Sequence, residues 1–203
     1  MMNHKVELFI FRHGETDWNA QRKFQGHTDI PLNEKGKFQA EELYQKFSTL
    51  KPQVCLSSDL VRAVETAKIG LRNHEISYVY SPALRETFLG DVEGLSQIEI
   101  TEKYGEEVLT RWRSIEEKDL TMSFPNGETK LDHLIRVQNF IRNFIELNSH
   151  FSKVAISSHG GAVVRLVHSC INAPKEAIGI PNCCLYHLEF DKNENQFSFI
   201  KQL

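Results

Sequence analysis

The stretch VELFIFRHGET at residues 6–16 places an arginine and a histidine directly after a short apolar run. A second stretch, VAISSHGG at residues 154–161, has the same design, with an apolar run followed by a histidine and two glycines. Each run has the length and composition of a buried strand. Because open α/β sheets bind ligands where their strands end, we expect Arg12, His13 and His159 to lie together at one edge of one sheet.

Strand-like and helix-like segments alternate around these two stretches. Predicted strands cover residues 5–11, 53–57, 76–80 and 153–157, and predicted helices cover residues 34–48, 60–71, 129–147 and 161–171. Such alternation is typical of a parallel sheet covered by helices on both faces. The final runs, residues 183–190 and 197–201, predict an antiparallel pair. The expected fold is a three-layer α/β fold whose sheet is mainly parallel, with one antiparallel edge strand.

The length of 203 residues predicts a single domain over residues 1–203. Within it, residues 91–125 carry the weakest apolar pattern and many charges, and we interpret them as a lid-like insertion that sets substrate specificity. Arg111, Trp112 and Arg113 lie in this segment. They either touch a substrate from the lid or form a solvated helix face, and the second interpretation is the one that we favour.

Composition excludes several classes of function. The net charge of −3 gives no general attraction to nucleic acid or to a membrane surface, so we expect neither partner. No stretch approaches the roughly 18 apolar residues of a membrane span, and the start lacks a signal-peptide pattern, which predicts a cytoplasmic location. The four cysteines form no C-x-x-C pair, so we expect buried thiols and no metal site. The sequence leaves the oligomeric state open.

The residues at the predicted strand ends suit phosphoryl transfer, which needs a nucleophile, cations around the phosphate oxygens and an acid for the leaving oxygen. His13 is the candidate nucleophile, with one ring nitrogen unprotonated and the other held by a hydrogen bond. Arg12 lies beside it, and Arg62 lies in the first turn of the helix after the second strand. His159, when protonated, adds positive charge. We therefore predict a phosphate pocket around His13.

Smaller polar and flexible residues complete the candidate site. Gly160 and Gly161 let the backbone approach an anion closely. Asn19 offers an amide donor. The acid for the leaving oxygen is expected near the exit of the third strand, where Leu84-Arg85-Glu86 supplies Glu86.

The ordered set of motifs resembles the histidine phosphatase superfamily, also called the phosphoglycerate mutase-like family. The matching pieces are RHGET at 12–16, FQG at 24–26, SSDLVRA at 57–63, LRE at 84–86, PNGET at 125–129 and SHGG at 158–161. They follow the family's order from about residue 7 to residue 165. One such piece is a weak signal, whereas the ordered set is very specific.

The resemblance implies a phosphohistidine intermediate on His13. It also implies a phosphate pocket of Arg12, Arg62 and His159, with Asn19 and the backbone near Gly160 assisting. By the same resemblance, Gln25 and Gly26 line the substrate site, and Glu86 is the proton donor. The acid-phosphatase branch has an aspartate directly after the second histidine, where this chain has Gly160. The resemblance is therefore to the mutase and bisphosphatase branch, and it implies no cofactor.

We expect a metal-independent phosphohydrolase that acts on a small phosphomonoester, a phosphorylated metabolite. One alternative is a 2,3-bisphosphoglycerate-dependent phosphoglycerate mutase. By this resemblance, the mutases of the family are longer chains with an added lid insertion and a C-terminal tail. Residues 25–29 resemble the family's phosphatases more than its mutases. Another alternative is a phosphoprotein phosphatase or a signalling protein.

Overall fold

A computed structural model describes residues 4–203 of the chain, so the predicted domain's residues 1–3 lie outside the described part. Its single sheet has six strands. They are β1 (Lys5–Arg12), β2 (Val54–Ser58), β3 (Ser77–Ser81), β4 (Lys153–Ser158), β5 (Leu185–Asp191) and β6 (Gln196–Gln202). Their order across the sheet is β3-β2-β4-β1-β5-β6.

The direction of the strands agrees with the sequence prediction. Strands β3, β2, β4 and β1 run parallel to their neighbours. Strand β5 runs antiparallel to β1 and forms a hairpin with β6 at that edge of the sheet. The predicted three-layer α/β fold, mainly parallel with an antiparallel strand at one edge, is confirmed, and the antiparallel strand is the inner member of the edge hairpin.

Residues 4–203 contain seven α-helices. They are α1 (Asp17–Ala20), α2 (Glu34–Leu50), α3 (Val61–Gly70), α4 (Gln97–Tyr104), α5 (Glu106–Arg113), α6 (Lys130–Leu147) and α7 (Gly160–His168). Three short 3₁₀ turns lie at Pro82–Leu84, Gly90–Val92 and Glu117–Asp119. None of these helices combines the length and the apolarity that a membrane span needs.

The alternation of side chains along β1 builds the two halves of the core. Leu8 and Ile10 face a cluster that includes the apolar residues of α6 and α7. Phe9 and Phe11 face the opposite cluster, with the apolar residues of α2 and α3. Since successive residues of a strand point to opposite faces, this short apolar run fixes both helix layers.

The cysteines follow the same division. Cys184 belongs to the cluster with α6 and α7, and Cys183 belongs to the cluster with α2 and α3. All four thiols, including those of Cys55 and Cys170, are buried and free, as predicted. They act as small apolar side chains of the core.

The segment interpreted as a lid contains a small core of its own. Val92, Ile100, Leu109 and Phe124 are among its buried side chains. The ring of Trp112 packs on Phe124 with 4.8 Å between centroids. Residues 91–125 therefore fold as a packed helical unit with α4 and α5, and one side of this unit faces the strand ends.

Candidate active site

The two histidines predicted at the strand ends lie beside each other. Strands β1 and β4 are neighbours and parallel, with Arg12 opposite Ser158, so His13 and His159 leave the sheet at the same level. Their ring centroids are 5.2 Å apart. His13 is 4% exposed and His159 is fully buried. The sheet topology thus brings together residues that are far apart in the chain.

A hydrogen bond fixes the tautomer of His13. Its Nδ1 lies 2.7 Å from the carbonyl oxygen of Gly14, so Nδ1–H donates and Nε2 keeps its lone pair. Burial, followed by the positive charges of Arg62 and Arg12, holds the pKa of His13 well below 6.5. The imidazole is therefore neutral near pH 7, which is the form that a nucleophile requires.

The turn after His13 depends on a close approach of two glycines. A Cβ on Gly14 would overlap the carbonyl of Gly36, and a Cβ on Gly36 would overlap the backbone of Glu15. Asn33 caps α2 here, because its side-chain oxygen accepts a hydrogen bond of 2.8 Å from the Gly36 amide. The first turn of α2 is thereby packed directly against the loop that carries His13.

Arg62 is fully buried beside His159, and three of its five N–H donors have partners within the described chain. Its guanidinium donates to the carbonyl oxygens of Gly26 at 2.7 Å and Thr28 at 2.9 Å, and its Nε donates to His159 Nδ1 at 3.3 Å. Burial is the main cause that lowers its pKa, to about 10, so it stays charged near neutral pH. The start of its helix α3 is held by Asp29, whose carboxylate accepts a 2.8 Å hydrogen bond from the Val61 amide.

His159 acts as a neutral donor in this arrangement, which corrects the expectation that its protonation adds charge. Because its Nδ1 accepts from Arg62, the ring proton lies on Nε2. Burial, with the nearby charge of Arg62 as the next cause, holds the pKa of His159 well below 6.5. The positive charge of the pocket comes from Arg12 and Arg62.

Three buried donors around His13 have no hydrogen-bond partner within the described chain. They are the Nε2 of His159, the Nε of Arg12 and the Nε2 of Gln25. Arg12 is held in place by a 2.6 Å hydrogen bond from Nη1 to the carbonyl of Ile180. Buried polar groups in proteins are nearly always paired, so unpaired donors of this kind mark a place for a ligand that accepts hydrogen bonds. A tetrahedral oxyanion matches them.

The amide side chains near His13 form a network. Gln25 Oε1 accepts from the Thr16 hydroxyl at 2.9 Å and from the Asn19 amide at 3.4 Å, which directs its NH₂ group away from them. Asn182, which the sequence analysis did not identify, donates to the His13 carbonyl and to Asn19 Oδ1, both at 3.1 Å. Asn19 and Gln25 thus line the cavity in fixed orientations.

Gly26 contributes its backbone to the support of the pocket. Like Arg62 and His159, it does not line the open cavity, and its carbonyl oxygen accepts a hydrogen bond from Arg62. A Cβ on Gly26 would overlap the carboxylate of Glu93, which accepts hydrogen bonds of 2.8 Å from the amides of His27 and Thr28. Gly26 therefore supports the pocket from behind.

Glu86 lies on the wall of the same cavity. Its Oε1 accepts from the Thr87 amide and its Oε2 accepts from the Gly161 amide, each at 2.8 Å. A Cβ on Gly161 would overlap Glu86 Oε1 and the guanidinium of Arg165. Gly161 is the position that lets the carboxylate reach the start of α7.

Arg165 and His133 adjoin Glu86, and the sequence analysis missed both. Arg165 contacts Thr87 Oγ1 and lies 3.5 Å from Glu86 Oε1, while its Nε donates to His133 Nδ1 at 2.9 Å. His133, fully buried, donates from Nε2 to the Arg85 carbonyl at 3.1 Å. Arg165 comes one helical turn after Gly161, and this i, i+4 spacing places it on the same face of α7. That spacing is the signal that could have identified it.

The cavity has a volume of about 630 Å³. Arg12, His13 and Gly160 lie on its wall, and Trp112 and Arg113 lie on it from the helical segment. The expectation of a solvated helix face was wrong for Trp112, which is half-buried and packs on Phe124, whereas Arg111 and Arg113 are exposed and donate to Asp119 and Gln97. Within residues 4–203, no group of three or more His, Cys, Asp or Glu side chains is arranged to hold a metal ion.

Comparison with known proteins places the chain among phosphate-handling enzymes. The family model of the histidine phosphatase superfamily (branch 1) matches residues 8–202. The uncharacterized phosphatase PhoE of Bacillus subtilis is 32% identical over 183 residues, covering 89% of this chain and 86% of the relative. A 2,3-bisphosphoglycerate-dependent phosphoglycerate mutase of Gloeobacter violaceus is 30% identical over 160 residues, covering 77% and 71%.

A solved structure gives the same result for the fold. The mycobacterial glucosyl-3-phosphoglycerate phosphatase solved with VO3 superposes with a TM-score of 0.79 at 25% identity, covering 90% of this chain and 92% of that chain. The motif order, the paired histidines at the strand ends and the match over residues 8–202 agree. The chain belongs to the histidine phosphatase superfamily (branch 1).

Proposed function

We propose that the chain is a metal-independent hydrolase of small phosphomonoesters that works through a phosphohistidine on His13. The observation that carries this proposal is the neutral His13, with Nε2 unprotonated, beside three buried donors that lack partners. A phosphoryl group placed there satisfies the donors of Arg12, Gln25 and His159. The 630 Å³ cavity around them suits a small ester.

In the first step, His13 Nε2 attacks phosphorus in line with the leaving oxygen. The N–P bond forms as the P–O ester bond breaks, and the electron pair of that bond stays on the leaving oxygen. Glu86, as the protonated acid, gives its proton to this oxygen so that a neutral alcohol leaves. The guanidinium groups of Arg12 and Arg62 stabilise the charge on the equatorial oxygens.

In the second step, water attacks the phosphohistidine and Glu86 accepts its proton. The N–P bond breaks, and inorganic phosphate remains in the pocket until it is released. Arg165 Nη2 lies 3.5 Å from Glu86 Oε1 and helps to hold this side chain in place. The Gly161 amide keeps the carboxylate beside the entrance of the pocket. Asn19 assists phosphate binding through its amide.

Relatives named as phosphatases and relatives named as mutases match the chain over similar lengths. The phosphatase PhoE of Bacillus subtilis matches 89% of this chain and 86% of its own length, and a probable phosphoglycerate mutase of an Enterobacter species matches 93% and 86%. The mutase name still supports a second candidate, a 2,3-bisphosphoglycerate-dependent mutase. The two activities share the first step and differ in the acceptor of the phosphoryl group.

The test is a screen of phosphorylated metabolites and p-nitrophenyl phosphate, with and without 2,3-bisphosphoglycerate and EDTA. We expect phosphate release that 2,3-bisphosphoglycerate does not stimulate and that EDTA does not reduce, because arginines supply the positive charge. Interconversion of phosphoglycerates that depends on 2,3-bisphosphoglycerate would support the mutase instead. Activity lost in EDTA and restored by a divalent ion would overturn the metal-independent mechanism.

A further inference from the structure

The segment that carries Glu86 has little regular structure of its own. After β3, one 3₁₀ turn covers Pro82–Leu84, and residues 85–89 form neither helix nor strand. Since no ladder of backbone hydrogen bonds fixes this stretch, its polar backbone groups need partners from other parts of the fold. The place of the Glu86 carboxylate therefore depends on the side chains that bind this backbone.

Side chains from other elements bind every carbonyl oxygen of residues 82–86. Arg136, on α6, lies within hydrogen-bonding distance of four of these oxygens. The four are those of Pro82 at 3.2 Å, Ala83 at 3.0 Å and Arg85 at 3.3 Å, each from Nη1, and Glu86 at 3.2 Å from Nη2. The other donors are Ser158 Oγ to Leu84, His133 Nε2 to Arg85 and His27 Nε2 to Glu86. Arg136 thus holds more of this backbone than any other described side chain.

Glu128 directs the guanidinium of Arg136 toward these carbonyl oxygens. Its carboxylate accepts hydrogen bonds from Nη2 and, at 3.3 Å, from Nε of Arg136. The two side chains are only 19% and 25% exposed. A two-point contact between a carboxylate and a guanidinium fixes the direction of both groups.

Glu128 also binds the other end of the segment. Its Oε1 accepts a 2.8 Å hydrogen bond from the Phe88 amide, and its own amide donates to the Phe88 carbonyl at 2.9 Å. Gly127 permits this close pairing, because a Cβ there would lie 2.7 Å from the Phe88 oxygen. The PNGET motif at residues 125–129 thereby fixes the chain two residues beyond Glu86.

Resting on the proposed function, in which Glu86 is the acid and the base, we propose that Glu128 and Arg136 are positioning residues for Glu86. They hold the backbone on both sides of Glu86, so that its carboxylate reaches the Gly161 amide beside the phosphate pocket. Neither side chain is among the described residues that line the cavity. Their effect on turnover therefore passes through Glu86.

The first experiment separates positioning from general support of the fold. p-Nitrophenyl phosphate and phenyl phosphate differ only in a nitro group, but phenolate needs a proton from the acid far more than nitrophenolate does. We expect Arg136→Gln to raise the ratio of kcat/KM, nitrophenyl over phenyl ester, by about 10-fold or more, in the same direction as Glu86→Gln. A variant that is merely less well folded loses activity on both esters alike, and its ratio stays unchanged.

Arg142→Gln is the matched control. Arg142 lies on the same helix and is also half-buried, but it donates to Gln138 and packs on the ring of Phe197. This variant should keep the ratio of the wild type. An unchanged ratio in Arg136→Gln beside a raised ratio in Glu86→Gln would overturn the inference and leave the proposed acid intact. An unchanged ratio in Glu86→Gln would overturn the proposed acid and the inference with it.

A second variant tests whether the two positioning residues act as a unit. Glu128→Gln keeps the shape of the side chain and removes its charge, so the ratio should rise in the same direction, and this variant carries the test if Arg136→Gln does not fold. The double variant should exceed Arg136→Gln by no more than about twofold. Effects that multiply in the double variant would contradict the proposed pair.

Crystal structures of the wild type and of Arg136→Gln give an answer that does not depend on hydrolysis. We expect the Glu86 carboxylate of the variant to be displaced by about 1 Å or more and to lose its hydrogen bond to the Gly161 amide. A carboxylate that keeps its place in the variant would overturn the inference. If the wild type hydrolyses neither ester and the carboxylate is displaced, the positioning role stands and the proposed hydrolysis fails.

Discussion

Gly161→Ala is predicted to inactivate the acid–base residue while leaving the fold intact. Gly161 lies in the first turn of α7, where alanine is a better helix former than glycine by up to about 1 kcal/mol. The new Cβ overlaps Glu86 Oε1 and Arg165 Nη2. A carbon atom needs about 3.5 Å to its neighbours, so the carboxylate has to retreat by about 1 Å and loses its hydrogen bond to the Gly161 amide.

A misplacement of about 1 Å at a reacting group costs on the order of 100-fold in rate. We therefore expect turnover of an alkyl phosphate to fall about 100-fold, because an alkoxide needs protonation. An aryl phosphate leaves with little help, so its first step should be nearly spared while hydrolysis of the phosphohistidine slows. Stopped-flow release of p-nitrophenol should show a burst of about one equivalent, and Glu86→Gln should behave alike.

The control is Gly179→Ala, whose Cβ would meet only Pro181 Cδ at 3.9 Å. This variant should keep the activity of the wild type. Alkyl phosphate turnover within threefold of wild type in a Gly161→Ala protein of unchanged Tm would refute the role of Glu86. Equal losses for the alkyl and aryl esters, without accumulated intermediate, would do the same.

Two further substitutions and one pH effect follow from the buried cluster. Arg62→Lys keeps a positive charge but loses the planar set of donors to Gly26, Thr28 and His159. We expect kcat/KM to fall by about 100-fold and Tm to drop. Replacement of the exposed Arg72 by lysine should change neither quantity. Unaltered kinetics in Arg62→Lys would contradict this geometry. The pKa values of His13, His133 and His159 lie well below 6.5, so the unfolded chain binds protons that the native state does not. Stability should therefore fall as the pH drops below 6.5, by on the order of 1 kcal/mol per histidine between pH 7.5 and 5.5 in urea titrations. His133→Gln should reduce this loss of stability by the contribution of one histidine, while replacement of the exposed His150 should leave the loss unchanged.

The sequence predicts the scaffold of the site because local pattern determines it. The apolar run before Arg12 and the run before His159 identify two strands, and parallel pairing then brings their ends together. The place of Arg62 also follows from a local feature, the first turn of the helix after β2. These predictions need only periodicity and the geometry of parallel sheets.

What the sequence does not provide depends on contacts between distant segments. The neutral state of His159 results from burial and from the charge of Arg62, 97 residues away in the chain. The link from His133 through Arg165 to Glu86 joins three separate elements, and no single motif contains it. The role of Gly26 is visible only once Glu93 and Arg62 are placed against it.

The most direct test of the proposed mechanism is the site of phosphorylation. The enzyme is mixed with ³²P-labelled substrate and quenched rapidly in base, where a phosphohistidine is stable, and the labelled peptide is identified by mass spectrometry. We predict an acid-labile label on His13 alone, which accumulates further in Glu86→Gln and is lost in His13→Ala. A label that persists in His13→Ala, or one found on another residue, would contradict the mechanism.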